Sequence, residues 1–346
     1  MDGDGGGGGE NQQCHDHGKE VETRLWKSIC RSLSSGFVNA HSDSSAAAAA
    51  VPTKKMRNRS VSLGVPLRKK SVQAAAAAAA AGHHGDEQTP LQLMRASVVE
   101  LDPLSKGVDD ATLRRFLVAR SMKVDKATTM FVEHQRWRRS LFFFTAPAGG
   151  GGGGYIPEAQ VKKELETGKV MRAGYGKQGH PVAVGFGAKH DVLNRDVEEF
   201  KRFTVYVFDK LIASMPPGTE KFMIILDLQG VSYRNMDPVA MRTNLDFLQA
   251  YYPERLAKAF VVHVPTIFWG VWHMLSPFID KVTREKILFV EDKALEMTLM
   301  EYIDKEQLPS LYGGRGHLQS MTDVSPTYKS PPLAIPEFGT EAAASS

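Results

Sequence analysis

The chain has 346 residues, 42% of them hydrophobic, and a formal net charge of +4. That length allows two ordinary domains, and so small a charge does not call for nucleic acid as a partner. Only two cysteines occur, Cys14 and Cys30, so no disulfide framework is expected and a reducing, cytoplasmic setting is.

Residues 1–88 read as a disordered low-complexity tail. It holds the glycine run Gly5–Gly9 and the alanine runs Ala46–Ala50 and Ala74–Ala81, which offer little apolar surface against the entropy of ordering. Between the alanine runs, Lys54 to Lys70 carries seven basic residues and no acid, with Ser60 and Ser62 inside it. Such a cluster is either a solvated linker or a tether to anionic headgroups that phosphorylation would weaken. The N-terminus reads as neither a signal peptide nor a myristoylation site, and the C-terminus lacks a prenylation box.

Residues 89–145 read as a helical module. Asp109 and Asp110 can cap a helix bearing Leu113, Phe116 and Leu117 on one face. A second helix runs over 124–141, with Arg136, Arg138 and Arg139 near its C-terminus, where the helix dipole favours cations. A glycine linker, 146–154, follows. From 155 to 316 strands alternate with helices. Strands are expected at 182–186, 222–228, 259–264 and 286–290, and helices at 197–212, 239–251 and 294–303. This alternation implies a mostly parallel sheet covered by helices. Residues 317–346, rich in proline and serine, read as a disordered tail.

Gly174-Tyr175-Gly176-Lys177-Gln178-Gly179 matches the dinucleotide fingerprint G-x-G-x-x-G. That motif works only between a strand and a helix N-terminus. Here His180-Pro181 and another strand follow, so the glycines read as a hairpin turn. No nucleophile elbow, zinc motif or metal-spaced histidines occur, and neither a metal nor a cofactor is expected.

No Asp, Glu, Lys or Arg occurs from Phe260 to Ile279. Roughly twenty such residues could span a bilayer, but Pro265, Gly270 and Pro277 argue for strand, turn and helix. Thr266 is expected to cap that helix and Pro277 to end it. Ile267, Phe268, Val271, Trp272 and Leu275 line one face, and Trp269 and Met274 lie on the other. A helix apolar all round is either a buried core helix or faces something oily. On the second reading it is a lid over an apolar pocket, dipping into a membrane during exchange. Exposing a two-tailed lipid to water costs on the order of 25 kcal/mol, at about 0.8 kcal/mol per methylene. Only an enclosed apolar cavity, here expected beneath Trp269, offsets that.

The chain carries, in order, Leu113-Arg114-Arg115-Phe116-Leu117, Asp227-Leu228-Gln229-Gly230, Tyr251-Tyr252-Pro253-Glu254-Arg255, Pro277-Phe278-Ile279-Asp280, Thr283-Arg284-Glu285-Lys286 and Tyr312-Gly313-Gly314. Together these motifs resemble the CRAL-TRIO family, in particular its phosphatidylinositol/phosphatidylcholine transfer proteins. The resemblance implies an α/β fold whose mostly parallel sheet floors an apolar pocket under a helical gate, preceded by a small N-terminal helical module. It implies no catalytic residues. It also implies a headgroup set of Arg120, Glu254, Thr283 and Lys286, with phosphatidylinositol or another membrane lipid as ligand. In such a set lysine pairs with phosphate and glutamate accepts from inositol hydroxyls. Without lipid, Glu254 and Lys286 are expected to pair with each other. Ser121 stands where the family usually has lysine. The positions that hold choline lipid in the fungal protein fall near Phe222 and Ile224, which are apolar, so a sterol or isoprenoid becomes an alternative second ligand.

The expected function is lipid binding, transfer or presentation by a cytoplasmic monomer that meets membrane surfaces transiently and serves lipid-modifying enzymes such as lipid kinases. The competing functions are a protein-interaction scaffold with a vacant or plugged pocket, and a nucleotide-dependent enzyme using the glycine turn.

Overall fold

The computed structural model describes residues 89–143 and 156–323. The readings for residues 1–88, including the basic cluster at Lys54–Lys70, for the glycine linker and for the chain beyond Asp323 lie outside the described residues; the expected disordered tail of 317–346 does not hold at its start, where Gln319 and Ser320 form a strand and Met321 is buried.

The first described element, helix α1 (Pro90–Leu101), opens on a reciprocal cap: Thr89 accepts from the Gln92 amide while the Gln92 side chain accepts from the Thr89 amide. Helix α2 (Asp110–Ala119) is capped by Asp109, which accepts from Thr112 N at 2.7 Å. Asp110 instead pairs with Arg95 at 2.5 Å. Helix α3 (Val124–Phe143) follows after a turn in which Ser121 and Met122 are both left-handed, at φ 51° and 60°. The three helices close on a core of Met94, Val98, Leu113, Phe116, Leu117 and Phe131.

A short helix α4 (Lys162–Glu166) leads to strand β1 (Val170–Tyr175), which turns back into β2 (Pro181–Phe186). The turn is the glycine motif: Gly176 N donates to His180 O at 2.8 Å, and Gly179 has φ +78°. Two strands flank it and no helix N-terminus follows, so the dinucleotide reading fails. Helix α5 (Val197–Ala213), strand β3 (Phe222–Asp227), helix α6 (Pro238–Ala250) and strand β4 (Leu256–Val262) come next. Then follow helix α7 (Phe268–Leu275), the short helix α8 (Lys281–Glu285), β5 (Ile287–Phe289), helix α9 (Leu295–Tyr302) and β6 (Gln319–Ser320).

The sheet order is β5-β4-β3-β2-β1-β6, parallel from β2 to β5 and antiparallel at β1 and β6. Its two faces bury different layers. Val182, Val184, Ile225, Phe260 and Val262 pack with Leu299, Ile303 and Tyr312 on one side. Tyr312 donates to Asp227 Oδ2 at 2.8 Å, and a side chain at Gly314 would run into the backbone of Leu308. Two motifs of the resemblance therefore meet to close this face. The opposite face, with Ala183, Gly185, Ile224, Leu226 and Val261, carries α5, α6 and α7.

The helical module is fastened to α5 and to the turn after α6 by a buried polar knot. Arg138 on α3 donates to Asp209 on α5 at 2.9 Å and to the Tyr252 hydroxyl at 3.1 Å, and Tyr252 donates to Asp209 at 2.9 Å. Burial raises the pKa of Asp209, against the opposing pull of Arg138. Beside the knot, Trp137 stacks on Tyr251 at 3.7 Å between ring centroids and His134 lies against Phe116, Trp137 and Tyr251. Burial, with Arg138 and three further arginines, brings the His134 pKa down to about 3. Arg138 and Arg139 thus answer carboxylates on neighbouring elements, Arg139 reaching Asp102 at 2.9 Å. The helix runs on past them and its last turn holds no base, so they do not serve its dipole.

The uncharged stretch 260–279 resolves into strand, turn and helix, and among the described residues no helix is long and apolar enough to cross a membrane. Thr266 does not cap α7. The helix starts from Ile267 without a side-chain cap, because Pro265 O and Thr266 O already take the Phe268 and Trp269 amides in a preceding turn. At its other end the α-helix stops at Leu275 and tightens into a 3-10 turn containing Pro277.

Candidate functional site

A cavity of about 200 Å³ lies between the sheet and helices α5 and α6. Its floor is Ala183, Gly185, Ile224 and Leu226, its α5 wall is Phe203, Val207 and Phe208, and its α6 wall includes Ala240, Met241 and Leu248. These positions follow from period-two alternation along β2 and β3 and from helical spacing along α5 and α6. Gly185 supplies floor without bulk. For scale, about 150 Å³ holds one benzene ring.

The cavity is not beneath Trp269. Helix α7 stands one layer further along the sheet, with Phe268, Val271 and Leu275 buried and Trp269 39% exposed. Trp269 and Trp272 both contact the Phe289 ring, with centroids 4.9 Å away. Ile267, Trp272 and Met274 are partly buried in the same cluster. None of these residues lines the cavity. Leu226, Leu228, Val231, Met236 and Met241 belong both to the cavity wall and to the cluster that α7 packs on. Helix α7 therefore backs the wall that it was expected to form.

The carboxyl edge of the parallel strands closes the cavity with a polar chain. Lys169 Nζ meets His190 Nδ1 at 3.0 Å and also pairs with Glu164. His190 Nε2 meets Asp237 Oδ2 at 3.1 Å, and Arg195 holds both Asp237 oxygens. Burial opposes ionisation of Asp237, but hydrogen bonds from His190, Arg195 and the Ala240 amide keep its pKa well below the usual carboxylate range. Nothing in the spacing of residues 164, 169, 190, 195 and 237 announces this chain; only the fold assembles it.

The expected headgroup residues sit at the opposite edge. Lys221 and Lys286 immediately precede β3 and β5, and Glu254 lies two residues before β4, the three strands being parallel neighbours. Lys286 Nζ is 3.4 Å from Glu254 Oε2, and Lys221 Nζ is 3.9 Å from the same oxygen. Glu254 is left-handed at φ +58°, a strained conformation for a non-glycine residue and one often met at functional sites. Two expected members are not drawn in. The Thr283 hydroxyl donates to Asp280 at 2.7 Å, completing the cap of α8. Arg120, which follows α2, donates to Ala119 O at 3.0 Å and makes no ion pair among the described residues. Lys221 was missed because lysine before a strand is an ordinary solvated residue; its strand neighbours give it a partner.

Residues 165–314 match the family model described as the CRAL/TRIO domain. A CRAL-TRIO domain-containing protein of Schizosaccharomyces pombe is 31% identical over 65% of this chain and 20% of its own length. Another of Saccharomyces cerevisiae is 29% identical over 70% of this chain and 82% of its length. Phosphatidylinositol transfer protein CSR1 of Eremothecium gossypii is 28% identical over 60% of this chain and 47% of its length. The chain thus spans less than half of two of these three relatives. Among solved structures, that of Sfh5 aligns with a TM-score of 0.50 at 21% identity, covering 77% of this chain and 91% of that one, a likeness of fold.

Proposed function

The chain contains a CRAL/TRIO domain, and from that premise we propose that it binds a membrane lipid between the sheet and helices α5 and α6 and transfers or presents it, with no catalysis of its own. The observation that carries this reading is the apolar cavity there, floored by a sheet and walled by two helices. A phosphatidylinositol transfer protein among the relatives supports the same reading.

Phosphatidylinositol is the ligand we favour. Its phosphate would meet Lys286, aided by Lys221, and Glu254 would accept from inositol hydroxyls once the Glu254–Lys286 pair opens. Thr283 and Arg120 complete the set by reorienting. The acyl chains then run along the sheet into the cavity. At about 200 Å³ the cavity is too small for two such chains, so loading requires α6 and α7 to part. Helix α7 is suited to this, because moving it frees the wall residues that it backs. Its exposed Trp269 would enter the bilayer interface during exchange. On this reading the protein is cytoplasmic, works as a monomer, touches membranes transiently, and hands lipid to lipid-modifying enzymes such as lipid kinases.

Glu254→Ala and Lys286→Ala test the headgroup assignment. Each loses a charge-assisted contact worth roughly 1.5–3 kcal/mol, which is about tenfold or more in affinity. Phosphatidylinositol transfer between vesicles should fall accordingly, with the melting temperature nearly unchanged, since this partly exposed pair contributes at most about 1 kcal/mol to stability. Undiminished transfer in both variants contradicts the assignment.

A further inference from the structure

The cavity is lined by six polar side chains: Lys169, His190, Thr204, Asn235, Asp237 and Asn244. Four of them are satisfied by neighbours. Lys169 is held by Glu164 and His190 and lies over the Phe200 ring. His190 bridges Lys169 and Asp237, and Asp237 takes Arg195, His190 and the Ala240 amide. Asn235 accepts from Ser232 and donates to Ala188 O and His190 O. These groups are engaged with one another and with their neighbours.

Thr204 and Asn244 differ. Thr204 Oγ1 lies 3.1 Å from Phe200 O and 2.9 Å from Asn244 Oδ1, facing each other from α5 and α6. A hydroxyl has one hydrogen, so it serves one of these acceptors at a time. The amide nitrogen of Asn244, with two hydrogens, has no partner among the described residues. Were the amide turned over, nitrogen would meet Thr204 and the oxygen would be the free end. In either orientation one end of an amide stands unpaired in an apolar cavity.

We propose that Asn244, supported by Thr204, is a ligand-binding residue that takes an uncharged oxygen of the bound lipid, either an ester carbonyl or a hydroxyl. This rests on the carrier reading and adds to it a point of selection inside the cavity, remote from Glu254 and Lys286. The cavity thereby distinguishes oxygen-bearing lipids from hydrocarbon. Between sources of that oxygen, an ester carbonyl belongs to a phosphoglyceride and a hydroxyl to a sterol.

The test is equilibrium binding to the full chain, unmodified and as Asn244→Leu and Thr204→Val, with three probes: phosphatidylinositol, cholesterol and squalene, a hydrocarbon without oxygen. Asn244→Leu should weaken one oxygenated lipid by about tenfold while leaving squalene equal or tighter. Thr204→Val should weaken the same lipid by a smaller factor. Loss confined to phosphatidylinositol assigns the ester carbonyl, and loss confined to cholesterol assigns the hydroxyl. Equal affinity of Asn244→Leu for both oxygenated lipids, or a parallel loss for squalene, overturns the assignment and leaves the carrier reading standing. Failure of the unmodified chain to bind any of the three overturns both.

Discussion

Gly185→Leu should reduce lipid transfer at least tenfold while raising the melting temperature. Gly185 is the penultimate residue of β2, on the cavity floor, and a Cβ there would meet only Leu226 Cδ1, at an ordinary 3.6 Å. A leucine would project its remaining carbons into the cavity. Removing glycine from a strand interior relieves roughly 0.5–1 kcal/mol, and filling a cavity typically adds about 0.5–2 kcal/mol. For a domain of this size the melting point rises by about 2–4 °C per kcal/mol. The same side chain occupies the space that acyl chains need. Opposite movements of stability and transfer separate a blocked site from a damaged fold. A fall in both would mean that the floor is overpacked, and unchanged transfer would mean that lipid lies elsewhere.

Arg138→Met should destabilise the protein by about 3–5 kcal/mol, the range for stripping one partner from a buried ion pair. Both side chains of the Arg138–Asp209 pair are 10% exposed. The substitution keeps the aliphatic packing and leaves Tyr252 as the hydrogen-bond donor to Asp209 among the described residues. The loss should depend on pH in a defined direction. Asp209 already has its pKa raised by burial, and without Arg138 it rises further above the unfolded carboxylate value. A carboxyl group that binds its proton more tightly when folded loses stability as pH rises through that window. The deficit of the variant should therefore be smallest in mild acid and largest at neutral pH. Chemical denaturation across pH checks this, and a deficit that does not vary would remove Asp209 as its cause.

Much of the architecture is legible because its parts are locally consistent. The run Phe222–Asp227 has the continuous apolar character of a strand covered on both faces. Helix α5 carries its cap, Asp196, and its apolar stripe together. Strand β4 is harder to delimit. It begins at Leu256, ahead of the expected Ala259, and the Lys258 ammonium within it lies over the Tyr302 ring, 5.7 Å from the centroid. The site is legible only in part. The Glu254–Lys286 pair follows from the resemblance, and the structure brings the two together. The cavity does not follow. The conspicuous apolar stretch at 260–279 draws attention to α7, whereas the open space lies where Gly185 and Ala240 are small. Small residues in a strand or helix carry no such message until the register of β2 on β3 sets Gly185 beside Leu226. Thr204 and Asn244, forty residues apart on different helices, have no signature in sequence at all.

Native mass spectrometry of the full chain, purified from cells without detergent, bears most directly on whether this protein is a lipid carrier. A carrier gives a major species heavier than the bare chain by one lipid, released on activation and identifiable by fragmentation, with Gly185→Leu shifting the population to the bare mass. A protein that shows only the bare mass, and stays so after incubation with phosphatidylinositol vesicles, is no carrier.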